Sequence, residues 1–460
     1  MKNKKKIYLI LFITLFLGLF YYLSIQVIAN NSFKNLRSSL SASQKIFIKK
    51  YVFPYQYISQ LDNTINEMER AQDAYREELK YLIDIEVNFI NSKNKIRTEK
   101  IEDLTLSNGM KMERYKILDG FYSGINKFKP GSGFIDFYKE KLFVLSSRGV
   151  FGFTEDLDSD FELIKNNIGK FIGLEQFKKH RGFSIKDLLV YNDKIFISYT
   201  DELKTDCWNT SIIYSEINYL YLEFKKLFSS DQCVHSINNV DNEFNPWQSG
   251  GRIIGLDNKH ILFSVGEYRS RYLAQEKESI NGKLVSLNLE DLSYKIISMG
   301  HRNPQGLYLD NDKNFILETE HGPKGGDEIN YLKLENDNNK NIPNFGWPIS
   351  SGGEHYDGAE SKYKKYPLHK SHKKFGFVEP LITFVPSIAI SEISKISDNR
   401  FVFGSMKDKS LYFFKLNKKF KIFDIERVEV NERIRDLKFK DGILYLFLED
   451  TPIIAVINLF

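Results

Sequence analysis

Beyond Lys100 the apolar positions fall on alternate residues, and one theme keeps returning: an alternating strand, a turn carrying Asp, Asn or Lys, and a second alternating strand. It occurs at 134–137 with 142–145, at 185–190 with 195–198, and at 252–256 with 261–264. It returns at 305–309 with 315–318, at 393–396 with 401–404, and at 434–439 with 444–447. Six matching hairpins a few tens of residues apart are the pattern of small sheets repeated around an axis, which an irregular sandwich does not need. The predicted fold class is all-β, a six-bladed β-propeller over 115–460. The segments near 200–245 and 331–385 read as loop insertions that shape one face.

Upstream the period changes. Ile58, Leu61, Ile65, Met68, Tyr75, Leu79 and Leu82 follow helical spacing, which predicts a helical segment within the linker region 30–114. Such a helix packs on the main body, or self-associates as a stalk where the heptad runs longer. Before it, Lys2, Lys4, Lys5 and Lys6 precede an apolar run over 7–28, about the ~20 residues that cross a bilayer. The run predicts an N-terminal transmembrane helix over 1–29, a single-pass anchor in the inner membrane of a bacterial cell envelope. A cleaved signal peptide has a shorter apolar core, and either reading exports the propeller to the periplasm.

Composition refines this picture at three points. A chain of 42% hydrophobic and 14% aromatic residues suits a strand-rich globular body rather than disorder. The net charge of +5 is scattered, with no basic stripe interleaved with aromatics, so nucleic acid is not an expected partner. Cys207 and Cys233 are the two cysteines, and an isolated pair in an exported protein reads as a disulfide stapling a loop.

The chemistry is concentrated between 300 and 348. There Gly300-His-Arg-Asn-Pro-Gln-Gly-Leu307, Glu320-His-Gly-Pro-Lys-Gly-Gly-Asp-Glu-Ile-Asn330 and Asn344-Phe-Gly-Trp-Pro348 crowd polar residues at the ends of a hairpin. With Pro386-Ser-Ile-Ala389, Gly404-Ser-Met-Lys407 and Arg433-Ile-Arg-Asp436, these ordered strings resemble the soluble-type sugar dehydrogenases that use pyrroloquinoline quinone (PQQ), the glucose/sorbosone and aldose sugar dehydrogenase family. The resemblance implies PQQ and calcium as cofactors, a small sugar or alcohol as substrate and an electron acceptor in the envelope. It implies that Arg302 and Asn303 approach the quinone oxygens and that Lys407, Arg433 and Arg435 hold the cofactor carboxylates, for which the arginine fork is suited. Arg433 and Arg435 are two apart and therefore share a strand face. Calcium would take the carbonyls of Gly322 and Pro323, with Asp327 and Glu328 serving a second calcium or capping the loop.

One element departs from the family. Its general base is a histidine shortly before a Gly-Arg in the third repeat, and this chain reads Asn245-Pro-Trp-Gln-Ser-Gly-Gly-Arg252. Gln248 or Trp247 stands at that position, depending on the register, and neither accepts a proton at neutral pH. The substrate-side loop Gly131-Ser-Gly-Phe-Ile135 also differs from the family's. The expectation is oxidation of an aldose or related alcohol by hydride transfer to PQQ. The alternative is a catalytically silent propeller that binds a glycan, small ligand or protein.

Overall fold

The computed structural model describes residues 14–19, 21–22, 44, 47, 50–51, 57–59, 61–73, 94–121, 132–180, 182–334, 341–357, 362 and 364–460. The chain divides into two compact units, 1–76 and 77–460. In the first, 61–73 is helical as its spacing predicts, and Leu61, Ile65 and Met68 are exposed.

The second unit is a β-propeller of six antiparallel sheets. The first blade holds Gly133–Tyr138, Lys141–Ser146, Phe151–Thr154 and Phe161–Leu163, with Lys95–Ile96 added outside. Ile185–Tyr191, Lys194–Lys204, Cys207–Glu216 and Lys225–Phe228 form the second; Gly250–Asp257, His260–Val265, Lys283–Asn288 and Tyr294–Met299 form the third. The fourth is Pro304–Asp310, Phe315–Glu320, Asp327–Lys333 and Ile382–Phe384, and the fifth Ile390–Ser397, Arg400–Ser405, Ser410–Leu416 and Ile422–Glu429. In the sixth, Ile434–Lys440, Ile443–Leu448 and Ile453–Asn458 are completed by Lys111–Ile117 and Thr98–Thr105. Each predicted hairpin supplies the first two strands of one blade. Residues 98–117 therefore close the ring, although the sequence placed most of them in the linker before 115.

Alternation explains why this arrangement is stable. Both faces of a blade are buried, so odd and even positions serve different cores. Ile195, Ile197 and Tyr199 enter the cluster shared by the first and second blades, while Phe196 enters the one between the second and third. Six apolar clusters each lie between two neighbouring blades.

The first strands of successive blades touch in a closed ring around the axis. Their inward polar residues stitch the blades together. Asp136 accepts the Val190 amide, Asp187 the Ile253 amide, Glu392 the Leu307 amide and Asp436 the Ile135 amide. Arg252 donates to the Gln305 carbonyl and pairs with Asp187, Glu392 and Asp436 at 2.7, 2.8 and 2.9 Å. Buried carboxylates are tolerated here because each accepts fixed hydrogen bonds and faces a cation.

Two expectations are corrected. Among the described residues no helix is long and apolar enough to cross a membrane. Within 1–29 the structure describes residues 14–19 and 21–22, which are helical; the rest of the expected span lies outside the described residues. The transmembrane anchor, its inner-membrane localisation and the membrane as a partner are therefore not supported. Nor is 200–245 mainly an insertion: Lys194–Lys204 and Cys207–Glu216 are two long strands of the second blade. Buried Asn209, Thr210 and Ser211 gave that strand a polar sequence. Cys207 and Cys233 form the expected disulfide, which pins the segment after the blade back to the start of a strand, where Cys207 also pairs with His235.

Candidate functional site

The polar strings of the sequence meet because their glycines allow close approach. Gly300 has φ 77°, and a Cβ there would lie 2.1 Å from Asn344 Oδ1. The chain runs 300–303 and 344–347 are thereby zipped together, with the Phe345 amide on the Met299 carbonyl and the Trp347 amide on that of Gly300.

These loops border a cavity of about 820 Å³ lined by Trp247, Gln248, Arg302, Asn303, His321 and Lys407, among others. Gly322, Pro323 and Asp327 also line it. Arg302 donates to the carbonyls of His321 and Gly322 at 2.9 and 2.7 Å, and its amide donates to Glu320 at 2.6 Å. The Asn303 Oδ1 accepts the Gly250 amide, tying the site to the third blade. Asn303 Nδ2 lies 3.3 Å from His321 Nδ1. Burial, reinforced by Arg302 and Arg435, lowers the His321 imidazole to about 4, against the opposing pull of Asp327. The ring is thus neutral near pH 7 and able to accept at Nδ1.

Arg433 and Arg435 do not line the cavity but stand beside its cationic side. Both grip Glu449, Arg433 through Nε to Oε1 and Arg435 through Nε to Oε2, each at 2.7 Å. Arg433 also donates to the carbonyl of Met406, next to Lys407, and Arg435 reaches Gln305, which in turn donates to Asn303. Burial alone would raise the Glu449 carboxyl, yet Arg435 and Arg433 outweigh it and hold the group at about 2. Two arginines share one carboxylate, and with Arg302 and Lys407 this side of the site has a cationic excess. That excess fits a polycarboxylate ligand.

The carbonyls expected to take calcium are engaged. Gly322 accepts from Arg302, and Pro323 accepts the Ser387 hydroxyl at 3.3 Å. Asp327 accepts the amides of Gly322, Ile388 and Ala389 and the Ser387 hydroxyl, so it caps the turn at 386–390. The carbonyls of Gly322 and Pro323 thus each spend one of their two lone pairs on a hydrogen bond within the protein. Asp327 and Glu328 are not brought together, because neighbours on a strand face opposite sides. Glu328 lies 3.6 Å from His372 instead, and burial followed by Glu320 raises its carboxyl well above the ordinary range.

Sequence reasoning missed a second set. His301, Glu318 and Glu320 are buried with donor atoms within 4.8 Å of one another, and Asn330 donates to both carboxylates. Burial and then the charge of Glu320 push Glu318 well above the ordinary range. These are donors a divalent cation accepts. The signal was present in Glu318-Thr-Glu320, whose two-residue spacing puts both carboxylates on one face. Of the acids near the missing histidine, Glu243 is paired with Arg271 and Lys362, and Asp241 with Lys365 and Tyr366. The Gly131 end of the first-repeat loop lies outside the described residues.

The family model for glucose/sorbosone dehydrogenases matches residues 186–454. Aldose sugar dehydrogenase YliI of Escherichia coli (strain K12) is 30% identical over 226 residues, 44% of this chain and 57% of that protein. Quinoprotein glucose dehydrogenase B of Acinetobacter calcoaceticus is 29% identical over 150 residues, 26% of this chain and 29% of that one. The chain thus spans about half the length, or less, of the curated relatives it matches. The crystal structure of the soluble aldose sugar dehydrogenase from Escherichia coli in the apo-form shares the fold at TM-score 0.58 and 20% identity, over 79% of this chain and 100% of that one. The PQQ-bound aldose sugar dehydrogenase from Streptomyces coelicolor shares it at TM-score 0.53 and 17% identity, over 75% and 98%.

Proposed function

The chain belongs to the glucose/sorbosone dehydrogenase family, and on that premise we propose that it binds PQQ in the cavity beside Arg302 and oxidises an aldose or related alcohol. The observation that carries this reading is the cationic side of the cavity, where Arg302 and Lys407 line the wall and Arg433 and Arg435 stand behind it. PQQ has three carboxylates and an ortho-quinone, and when bound it supplies the hydride acceptor. Lys407 would hold a carboxylate directly, and Arg433 and Arg435, fixed by Glu449, would add positive charge from behind the wall. Arg302 and Asn303 would donate to the quinone oxygens. A neutral His321 accepts from the Asn303 amide, so that the amide keeps one orientation.

Proton removal is the weak half of the site. Gln248 can bind a sugar hydroxyl but not take its proton, and general-base assistance contributes about 10²–10⁴ in rate. This favours, as a second reading, a propeller that binds cofactor and sugar with little turnover.

The experiment is a PQQ titration of the purified protein, followed by absorption, then dye reduction with a panel of aldoses. Saturable binding is expected, and Arg302→Ala should weaken it by at least tenfold, as loss of a charge-assisted hydrogen bond of about 1.5–3 kcal/mol implies. Absence of PQQ binding would sink the proposal. Binding without dye reduction would favour the second reading.

A further inference from the structure

Scattered as the net charge is along the chain, it has one dense point. Lys362, Lys364, Lys365, Lys370, Lys373 and Lys374 fall between Glu360 and Glu379 with no aspartate or glutamate among them. Two of these lysines are spent on neighbouring loops: Lys362 pairs with Glu243 and Lys365 with Asp241, each at 2.9 Å. Lys370, Lys373 and Lys374 are exposed and form no ion pair among the described residues. Phe375 follows them directly and is 47% exposed. A single exposed ring is ordinary, but one set among unpaired cations has the make-up of an interface centre with a charged rim.

The segment meets the cavity at its mouth. Lys370 is exposed and also lines the cavity, together with Gly352, Glu354 and Tyr356. Its ammonium donates to the Gly352 carbonyl at 3.1 Å and to that of Gly353. The Ser351 amide donates to the His369 carbonyl at 3.0 Å, and the His369 amide to that of Ile349 at 2.8 Å. The turn that follows is fixed as well. The amides of Phe375 and Phe377 both donate to the His372 carbonyl, and Glu379 accepts the Lys373 amide at 2.7 Å. The Phe375 ring lies flat on that of His369, with centroids 3.6 Å apart. Backbone and ring are thus ordered before a partner arrives, which lowers the entropic cost of docking.

We propose that residues 370–375 are the docking surface for an acidic one-electron redox protein, which collects electrons at the mouth of the cavity. This rests on the reading of the cavity as a site of PQQ-dependent oxidation. Oxidising one alcohol to the carbonyl level releases two electrons and two protons, so such a partner docks twice per sugar and the protons pass to water. A partner that comes and goes needs fast association and a small contact more than tight binding. Lysines supply this, because opposite charge steers the encounter and redox partners bury less than about 1,200 Å². On the cavity side the charge is balanced, since Glu354 lines the wall and Lys324 pairs with Asp357 at 2.8 Å. The excess therefore lies on the lysine turn.

The test uses one haem protein in two charge states: cytochrome c, which is basic, and cytochrome c succinylated on its lysines, which is acidic. At low salt the full chain is expected to bind the succinylated form at least tenfold more tightly than the native form in calorimetric titration, with or without PQQ. The preference should fade as salt rises. Lys373→Glu/Lys374→Glu should lose at least tenfold of that affinity and Phe375→Ala at least threefold, while thermal melting and PQQ binding match the wild type. No preference for the acidic form, or unchanged affinity in the folded double variant, would overturn the proposal. So would binding to phosphatidylglycerol vesicles in place of succinylated cytochrome c, which would make the turn a membrane contact. Docking without haem reduction, in PQQ-loaded protein given an aldose, would overturn the redox role. Succinylated cytochrome c bound by a chain that never takes PQQ upholds the docking surface and removes the oxidoreductase reading.

Discussion

At the scale of single residues, Gln248 is where the proposed activity is put to the sharpest test. It lines the cavity, and its buried Oε1 has no partner among the described residues, so the position can receive a hydroxyl but not a proton. Gln248→His is therefore expected to raise dye reduction by about a hundredfold in PQQ-loaded protein, within the range of general-base catalysis. Activity of the variant should climb as the pH passes through about 6–7, where an ordinary imidazole loses its proton and becomes a base. Stopped-flow dye reduction across pH 5 to 9 checks this, and an unchanged rate in PQQ-bound variant would defeat it. The neighbouring indole was visible in the sequence as an anomaly, yet its exposure at the rim was not. Periodicity does not report which side of a short turn faces a cavity.

At the scale of elements, spacing and tertiary placement divided the work unevenly. The two-residue step from Arg433 to Arg435 put both on one strand face, as read from the sequence. Their partner Glu449 came from the end of the next strand, a pairing that only the hairpin register brings about. The same alternation separated Asp327 from Glu328, which adjacency in sequence had suggested as a metal pair. In the second blade the disulfide Cys207–Cys233 closes 26 residues that include a long strand. Replacing both cysteines by serine is expected to cost about 3 kcal/mol, the loop-closure entropy returned to the unfolded chain. Equilibrium urea unfolding of the double variant against the oxidised parent measures it. A difference under about 0.5 kcal/mol would mean that the strand pairing alone holds the segment.

At the scale of the whole molecule, the blades are joined by apolar cores outside and by a charged hub on the axis. Arg252 is the hub's central cation, set among Asp187, Glu392 and Asp436. Burial already pushes the Asp187 and Glu392 carboxyls above their ordinary range, with Arg252 opposing. Arg252→Met is expected to destabilise the propeller by about 3–5 kcal/mol, the usual cost of removing one partner of a buried ion cluster. Lys438 is the cation that remains beside these carboxylates. A carboxyl raised in the folded state lends stability below its unfolded pKa of about 4 and loses it as pH rises through the folded value. The variant's deficit should therefore be larger at pH 8 than at pH 5, and a deficit independent of pH in urea unfolding would contradict this account.

The sequence by itself determined the blade count, because both faces of every blade are buried and a period of two must then persist through each hairpin. It also determined the family, because the ordered strings around 300–348 are local and dense. What only the tertiary structure decided were the partners: Glu449 for the arginines, Arg302 for the carbonyls of His321 and Gly322, and the return of 98–117 to close the ring. These are contacts between segments remote in sequence. Their identity depends on how twisted sheets bring strand ends together, which no local spacing encodes. The N-terminal run shows the reverse limit, since its apolar length predicted a membrane span that no described helix provides.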